Sequence, residues 1–165
     1  MLDARIRRKG NACSRVLRTL TLATSLGIGL FGWQAGNAEG PNPESEGIIF
    51  ERQQIMTQLG KDAETLGKIV AGQVPADKLA ETTKAIAQGA HDSVETFKEQ
   101  VPGGRTKPEV WSNYADFSAR LDRFAAGADA MAKAGTTGNV TAVTGLLVEG
   151  MPCKECHDLY RQPKH

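Results

Sequence analysis

The stretch Met151-Pro152-Cys153-Lys154-Glu155-Cys156-His157-Asp158-Leu159-Tyr160-Arg161 decides how the rest of the chain is read. Side chains three and four apart share a face of a helix, so Cys153, Cys156 and His157 can all meet one flat object. A haem is such an object: two thiols form thioethers with its vinyl groups while the imidazole takes the iron from one side. Three other readings compete, namely a disulfide, half of a zinc site and a redox dithiol. The third cysteine, Cys13, lies in a leader-like N-terminus, and the remaining histidines are His91 and His165. A full set of zinc ligands therefore does not assemble. A thioredoxin-like dithiol needs a βαβ setting, and no strand pattern occurs. A plain disulfide leaves His157 without a role. The motif predicts one covalently bound haem c.

Residues 1–18 carry Arg5, Arg7, Arg8, Lys9, Arg15 and Arg18, and the run from Thr19 to Trp33 has no charge. Gly36-Asn37-Ala38 then sets small residues where a signal peptidase reads. A basic segment, a short apolar core and a small-x-small site predict a signal peptide over 1–38, cleaved after Ala38. A membrane anchor takes roughly 20 apolar residues, and this run is shorter and broken by Thr, Ser and Gly. The expectation is a periplasmic domain over 39–165 with no stable membrane span after processing. That domain has 14 Lys and Arg against 18 Asp and Glu, a net charge of −4. Its basic residues are dispersed and its aromatics few, which excludes a nucleic-acid binder.

Helical periods fill the domain. From Glu46 to Ala71, Ile49, Arg52, Met56, Leu59, Ala63, Leu66 and Val70 alternate by three and four, the seam of bundle packing. Arg52 is the wrong residue for such a seam. Either it snorkels to water, or it faces a carboxylate inside the bundle; with a haem present, the bidentate match to a propionate favours the second. Pro75 can begin a second helix, with Leu79, Thr83, Ile86, Ala90, Phe97 and Val101 on one face and an end near Gln100. His91 reads as a rim residue. Thr106-Lys107-Pro108-Glu109 has the form of a capping box opening a third helix, whose seam is Val110, Tyr114, Phe117, Leu121, Phe124, Ala128 and Met131. Met131 reads as core, and Trp111, off the seam, as a cover for a haem edge or a helix junction. Asn139 can cap a fourth helix, and Pro152 predicts a kink or restart before Cys153. Short connections between four helices predict an all-α, antiparallel four-helix bundle with its haem near the C-terminus.

These residues resemble the class II cytochromes c, the group of cytochrome c-prime and its low-spin relatives. The resemblance covers nearly all of 43–164. It rests on Arg52-Gln53-x-x-Met56, on Thr106-Lys107-Pro108-Glu109-Val110-Trp111 and on Cys153-Lys154-x-Cys156-His157-Asp158-x-Tyr160-Arg161. It implies thioether anchors at Cys153 and Cys156, a proximal ligand at His157 and Arg161 beside that imidazole. Arg52, Gln53 and Thr106 would contact the cofactor at its edge, and Met56 would lie over the open face of the iron. There Met56 either bonds the metal or only crowds it. The chain departs from the resemblance at Arg105, where an acidic residue is common, and at Pro152.

The expected function is a one-electron carrier serving redox partner proteins of the periplasm, and not an enzyme. The alternative is binding of small diatomic gases such as NO or CO at a five-coordinate iron. The resemblance also implies a homodimer through the first two helices.

Overall fold

A computed structural model describes residues 42–163. The signal peptide expected over 1–38 lies outside the described residues. Six helices make four legs: α1 (Pro43–Val70), α2 (Leu79–Thr96), a short α3 (Glu109–Ser112) leading into α4 (Tyr114–Gly135), and α5 (Val140–Gly150) followed by α6 (Cys153–Tyr160). Among the described residues the sole β-type pairing is an isolated antiparallel bridge between Thr106 and Arg161. The all-α four-helix bundle is as the seams require.

Helix α1 starts earlier than its apolar period suggests. Asn42 Oδ1 accepts from the Ser45 amide at 2.7 Å, Pro43 follows, and Glu44 and Glu46 occupy the first turn. Its buried residues are Arg52, Leu59, Leu66 and Ile69. The inward residue at the far end is thus Ile69 rather than Val70, because a straight helix drifts about 20° per heptad from a strict seven-residue repeat. Helix α2 follows one 3₁₀ turn (Ala76–Lys78) and buries Leu79, Thr83, Ile86 and Ala90. It stops at Thr96, earlier than expected.

The third leg departs most from expectation. Pro108, not Thr106, stands at the start of α3, and no side chain caps it. The Thr106 hydroxyl instead donates to Gly103 O at 2.5 Å. The Lys107 amide goes to Tyr160 O at 2.9 Å and the Gln162 amide to Arg105 O at 2.8 Å. Thr106 therefore pairs with Arg161 beside the end of α6, and the capping box does not form. Asn113 then leaves helical geometry (φ −126°, ψ 43°) and separates α3 from α4. Val110, Phe117, Leu121, Ala128 and Met131 are nevertheless buried as the seam predicts.

Between α4 and α5 the backbones approach closely: a Cβ on Gly127 would stand 2.5 Å from Gly150 Cα. Asn139 caps α5 through the Ala142 amide at 2.9 Å. Pro152 divides the last leg as expected, with Met151 out of helical geometry and α6 restarting at Cys153. Packing is extensive along α1–α2, α2–α4 and α4–α5 and slight across α1–α5, while α6 rests on α3 and α4. Two apolar clusters result. The larger includes Leu66, Leu79, Ile86, Ala128, Met131 and Val143; the smaller is Phe97, Val110, Phe117, Leu121 and Tyr160.

Candidate cofactor site

One turn of α6 carries Cys153, Cys156 and His157, and the surroundings hold that turn in place. Tyr160 is the anchor. Its ring is buried, edge-on to Phe117 with centroids 5.1 Å apart, and its hydroxyl donates to Asp116 Oδ2 at 2.5 Å. Asn113 Nδ2 donates to the same hydroxyl at 3.2 Å, and Arg120 Nε donates to Asp116 at 2.6 Å. The break at Asn113 thus puts an amide against α6. In the sequence, the i, i+4 spacing of Asp116 and Arg120 is the one mark of this support, and Asn113 carries none.

No disulfide joins the two cysteines; Cys153 is exposed and Cys156 half-buried against the smaller cluster. Desolvation by neighbouring protein atoms pushes both thiols up from their ordinary value. Burial pushes His157 down, and the positive charges of Arg161 and Arg105 add to this against an opposing Asp158. A neutral imidazole has the lone pair that a metal needs. Among the described residues no group of three His, Cys, Asp or Glu is arranged to hold a bare metal ion. A macrocycle that brings its own four donors and asks the protein for one imidazole and two thiols suits this set. The residues present fit a haem.

The residues expected on α1 are placed as follows. Met56 is half-buried and, with Val94, packs against both apolar clusters. Gln53 is exposed, its Nε2 lying over Gly104. Arg52 is 4% exposed. Its Nε and Nη2 donate to Thr96 O at 3.0 and 2.9 Å, Nη1 donates to Val101 O at 2.6 Å, and Nη2 also donates to Glu99 O. The guanidinium lies 4.4 Å from the Phe97 ring centroid and 5.4 Å from that of Trp111. Burial lowers its pKa. The partners of Arg52 in this structure are therefore backbone carbonyls. It closes the C-terminus of α2, where orphan acceptors and the helix dipole favour a cation. That use explains an arginine in a core seam without invoking water, and one Nη1 hydrogen remains free of these contacts. Trp111 covers this junction. His91 sits at the rim, its Nε2 3.0 Å from both oxygens of Asp129, and Met131 is fully buried core.

Arg161 and Thr106 meet through their backbone bridge. A cavity of about 410 Å³ opens beside them, lined by Arg105, Lys107, His157, Asp158, Arg161, Gln162 and Pro163. The structure thus gathers Cys153, Cys156, His157, Arg161 and Thr106 at one end of the bundle. It leaves Arg52, Gln53 and Met56 together on α1.

The family model described as Cytochrome C′ matches residues 47–161. The chain belongs to the cytochrome c′ family. A cytochrome c-556 of Agrobacterium fabrum is 28% identical over 153 residues, covering 90% of this chain and 97% of the relative. Another, from Agrobacterium tumefaciens strain B2A, is 31% identical over 124 residues, covering 72% and 99%. The crystal structure of cytochrome c′ from Rubrivivax gelatinosus is 28% identical with a TM-score of 0.64, covering 70% of this chain and 94% of that one. A nitric oxide complex of a mutant cytochrome c prime from Alcaligenes xylosoxidans, 24% identical, shares the fold at a TM-score of 0.66 over 73% of this chain and 97% of that one. This cytochrome c′ relative is a monohaem class II cytochrome c with covalently bound haem c.

Proposed function

We propose that this cytochrome is a periplasmic one-electron carrier in which His157 and Met56 would both hold the haem iron. The observation that carries the reading is the place of Met56. It is the thioether of α1 that packs against both apolar clusters, the smaller of which includes Tyr160 of α6 and has Cys156 packed against it. A His/Met pair is an established way for a protein to hold haem iron for electron transfer. When bound, haem c supplies a one-electron couple of its iron. The chain's own work is mechanical and electrostatic: Cys153 and Cys156 hold the macrocycle, and His157 offers a neutral nitrogen. The Tyr160 anchor fixes the pitch of α6, and the apolar clusters exclude water. No His stands on α1 to serve as a distal acid–base group, which argues for a carrier rather than a peroxidase. Thr106, Gln53 and the free hydrogen of Arg52 are proposed contacts to the cofactor edge, and Arg161 is proposed to lie beside the His157 imidazole.

The second reading is gas binding. It is supported by the nitric oxide complex of the Alcaligenes relative, which has the same fold. The visible spectrum of the reduced protein separates the two. A low-spin spectrum that carbon monoxide leaves unchanged, and that becomes high-spin in Met56→Ala, supports the carrier. A wild-type spectrum that shifts with carbon monoxide refutes Met56 ligation.

The periplasmic location rests on the 1–38 segment and on the family. Among the described residues no helix is long and apolar enough to cross a membrane. The intact mass of the exported protein, 39–165 plus one haem, tests it.

A further inference from the structure

Backbone breaks set one part of the molecule apart from the rest. Asn113 (φ −126°, ψ 43°) separates α3 from α4, and Met151 (φ −135°, ψ 66°) with Pro152 (φ −76°, ψ 43°) separates α5 from α6. On the third side Gly103 and Gly104 lead in at positive φ, 143° and 59°. Between these joints lie 105–112 and 153–163, two stretches remote in sequence that are bound to each other. The Lys107 amide donates to Tyr160 O and the Gln162 amide to Arg105 O, at 2.9 and 2.8 Å. Arg105 Nε and Nη2 donate to Gln162 O at 3.1 and 2.6 Å, and Lys107 Nζ donates to Asp158 O at 2.8 Å. Toward the long helices the ties are few. Among the described residues one side-chain hydrogen bond joins this unit to α1, α2, α4 or α5, that of the Tyr160 hydroxyl to Asp116. Its buried residues are Val110 and Tyr160, both in the smaller cluster. Trp111, partly exposed, adds contacts with Phe97 and the Arg52 guanidinium. The larger cluster has eleven buried residues, all on α1, α2, α4 and α5.

We propose that 105–112 and 153–163 form one mechanical unit that opens and closes on these joints while the four long helices stay folded, with Tyr160 and Asp116 as its latch. An unbroken helix carries its hydrogen-bond ladder straight through a junction; both legs that lead here interrupt it. Local opening is governed by the buried apolar contacts that it must break. This unit gives up two buried side chains, against the eleven that hold the larger cluster. Cys153, Cys156 and His157 all lie inside the unit, so a haem held by them travels with it, whereas Met56 stays on α1. Where Met56 is an iron ligand, opening withdraws His157 and both cysteines from it together, and the latch then regulates that bond; this consequence rests on the carrier reading.

The test is hydrogen–deuterium exchange of the haem-loaded protein, read peptide by peptide by mass spectrometry at a pH where exchange follows the opening equilibrium. The hydrogen-bonded amides of Lys107, Cys156, Arg161 and Gln162 should exchange as one group. They should do so about tenfold or more faster than the amides of α1, α2 and α4 around Leu66, Ile86 and Ala128. Ile86 is fully buried in the larger cluster. Ile86→Val should speed exchange in the long helices about fivefold and leave the unit's amides unchanged. Tyr160→Phe removes a tie that is lost in either opening, so both groups should speed up, each about tenfold. Equal protection of the two groups in the wild type overturns the proposal. So does an Ile86→Val effect of the same size on both, because each result means that the unit opens only with the whole domain. A Tyr160→Phe protein whose unit exchanges at the wild-type rate overturns it as well. Failure of the carrier reading shows separately, as a carbon monoxide-sensitive spectrum, and leaves the predicted exchange pattern in place.

Discussion

Tyr160→Phe isolates the tie that holds the haem-bearing turn. The substitution keeps the ring against Phe117, 5.1 Å away at 76°, and removes only the hydroxyl. Two hydrogen bonds go with it, one donated to Asp116 at 2.5 Å and one accepted from Asn113 at 3.2 Å. A hydrogen bond to a charged group nets about 1.5–3 kcal/mol and a neutral one about 0.5–1.5 kcal/mol. Neither is lost in full. Asp116 keeps Arg120 at 2.6 Å, and its side chain is 37% exposed, so water replaces the phenol on the open side. The expected loss is therefore near the low end, about 1.5 kcal/mol, or about 5 °C in Tm for a domain of this size. The assay is urea unfolding of the haem-loaded protein by ellipticity at 222 nm, with an unchanged slope as the control for two-state behaviour. Combining Tyr160→Phe with Asp116→Asn should cost less than the two single losses added together. Strictly additive losses would refute the tie, as would a Tyr160→Phe midpoint equal to that of the wild type.

The same network predicts a pH dependence: Arg120 first and Tyr160 second hold the Asp116 carboxyl below its usual range. Its stabilisation is complete above the ordinary carboxylate pKa of about 4 and is lost as pH falls through the folded value. The urea midpoint should drop as pH falls from 6 to 3, and less steeply in Asp116→Asn. Arg52→Ala should destabilise the chain by about 3 kcal/mol, because the Thr96, Glu99 and Val101 carbonyls lose a buried partner; Arg52→Lys should recover only part, since one ammonium cannot span the fork. Gly127→Ala should cost about 2 kcal/mol in the same assay, because its methyl would meet the Gly150 backbone at 2.5 Å rather than a side chain that can turn away.

What could be read from the sequence divides along a physical line. The haem triplet is legible because its geometry is local: i, i+3 and i+4 positions share a face in any helix, whatever surrounds it. The seams are legible for the same reason, and Phe117, Leu121, Ala128 and Met131 are buried where the period puts them. Helix ends are different, because an orphan backbone group can be satisfied by any partner that arrives. The Arg52 guanidinium finds carbonyls 44 to 49 residues away, a choice that depends on how α2 stops over α1. The Thr106 motif shows the competition most directly. Lys107 N–H is an amide that the start of a helix would leave orphaned, and the capping motif supplies helix-start amides with a local side-chain acceptor. The end of α6 offers this one Tyr160 O at 2.9 Å instead. Once Tyr160 is seated in the smaller cluster, its carbonyl is fixed beside residue 107, and the inter-segment bond forms at little further entropic cost. The burial of one aromatic ring thereby decides where a helix about 50 residues earlier begins, and no local motif can carry that information.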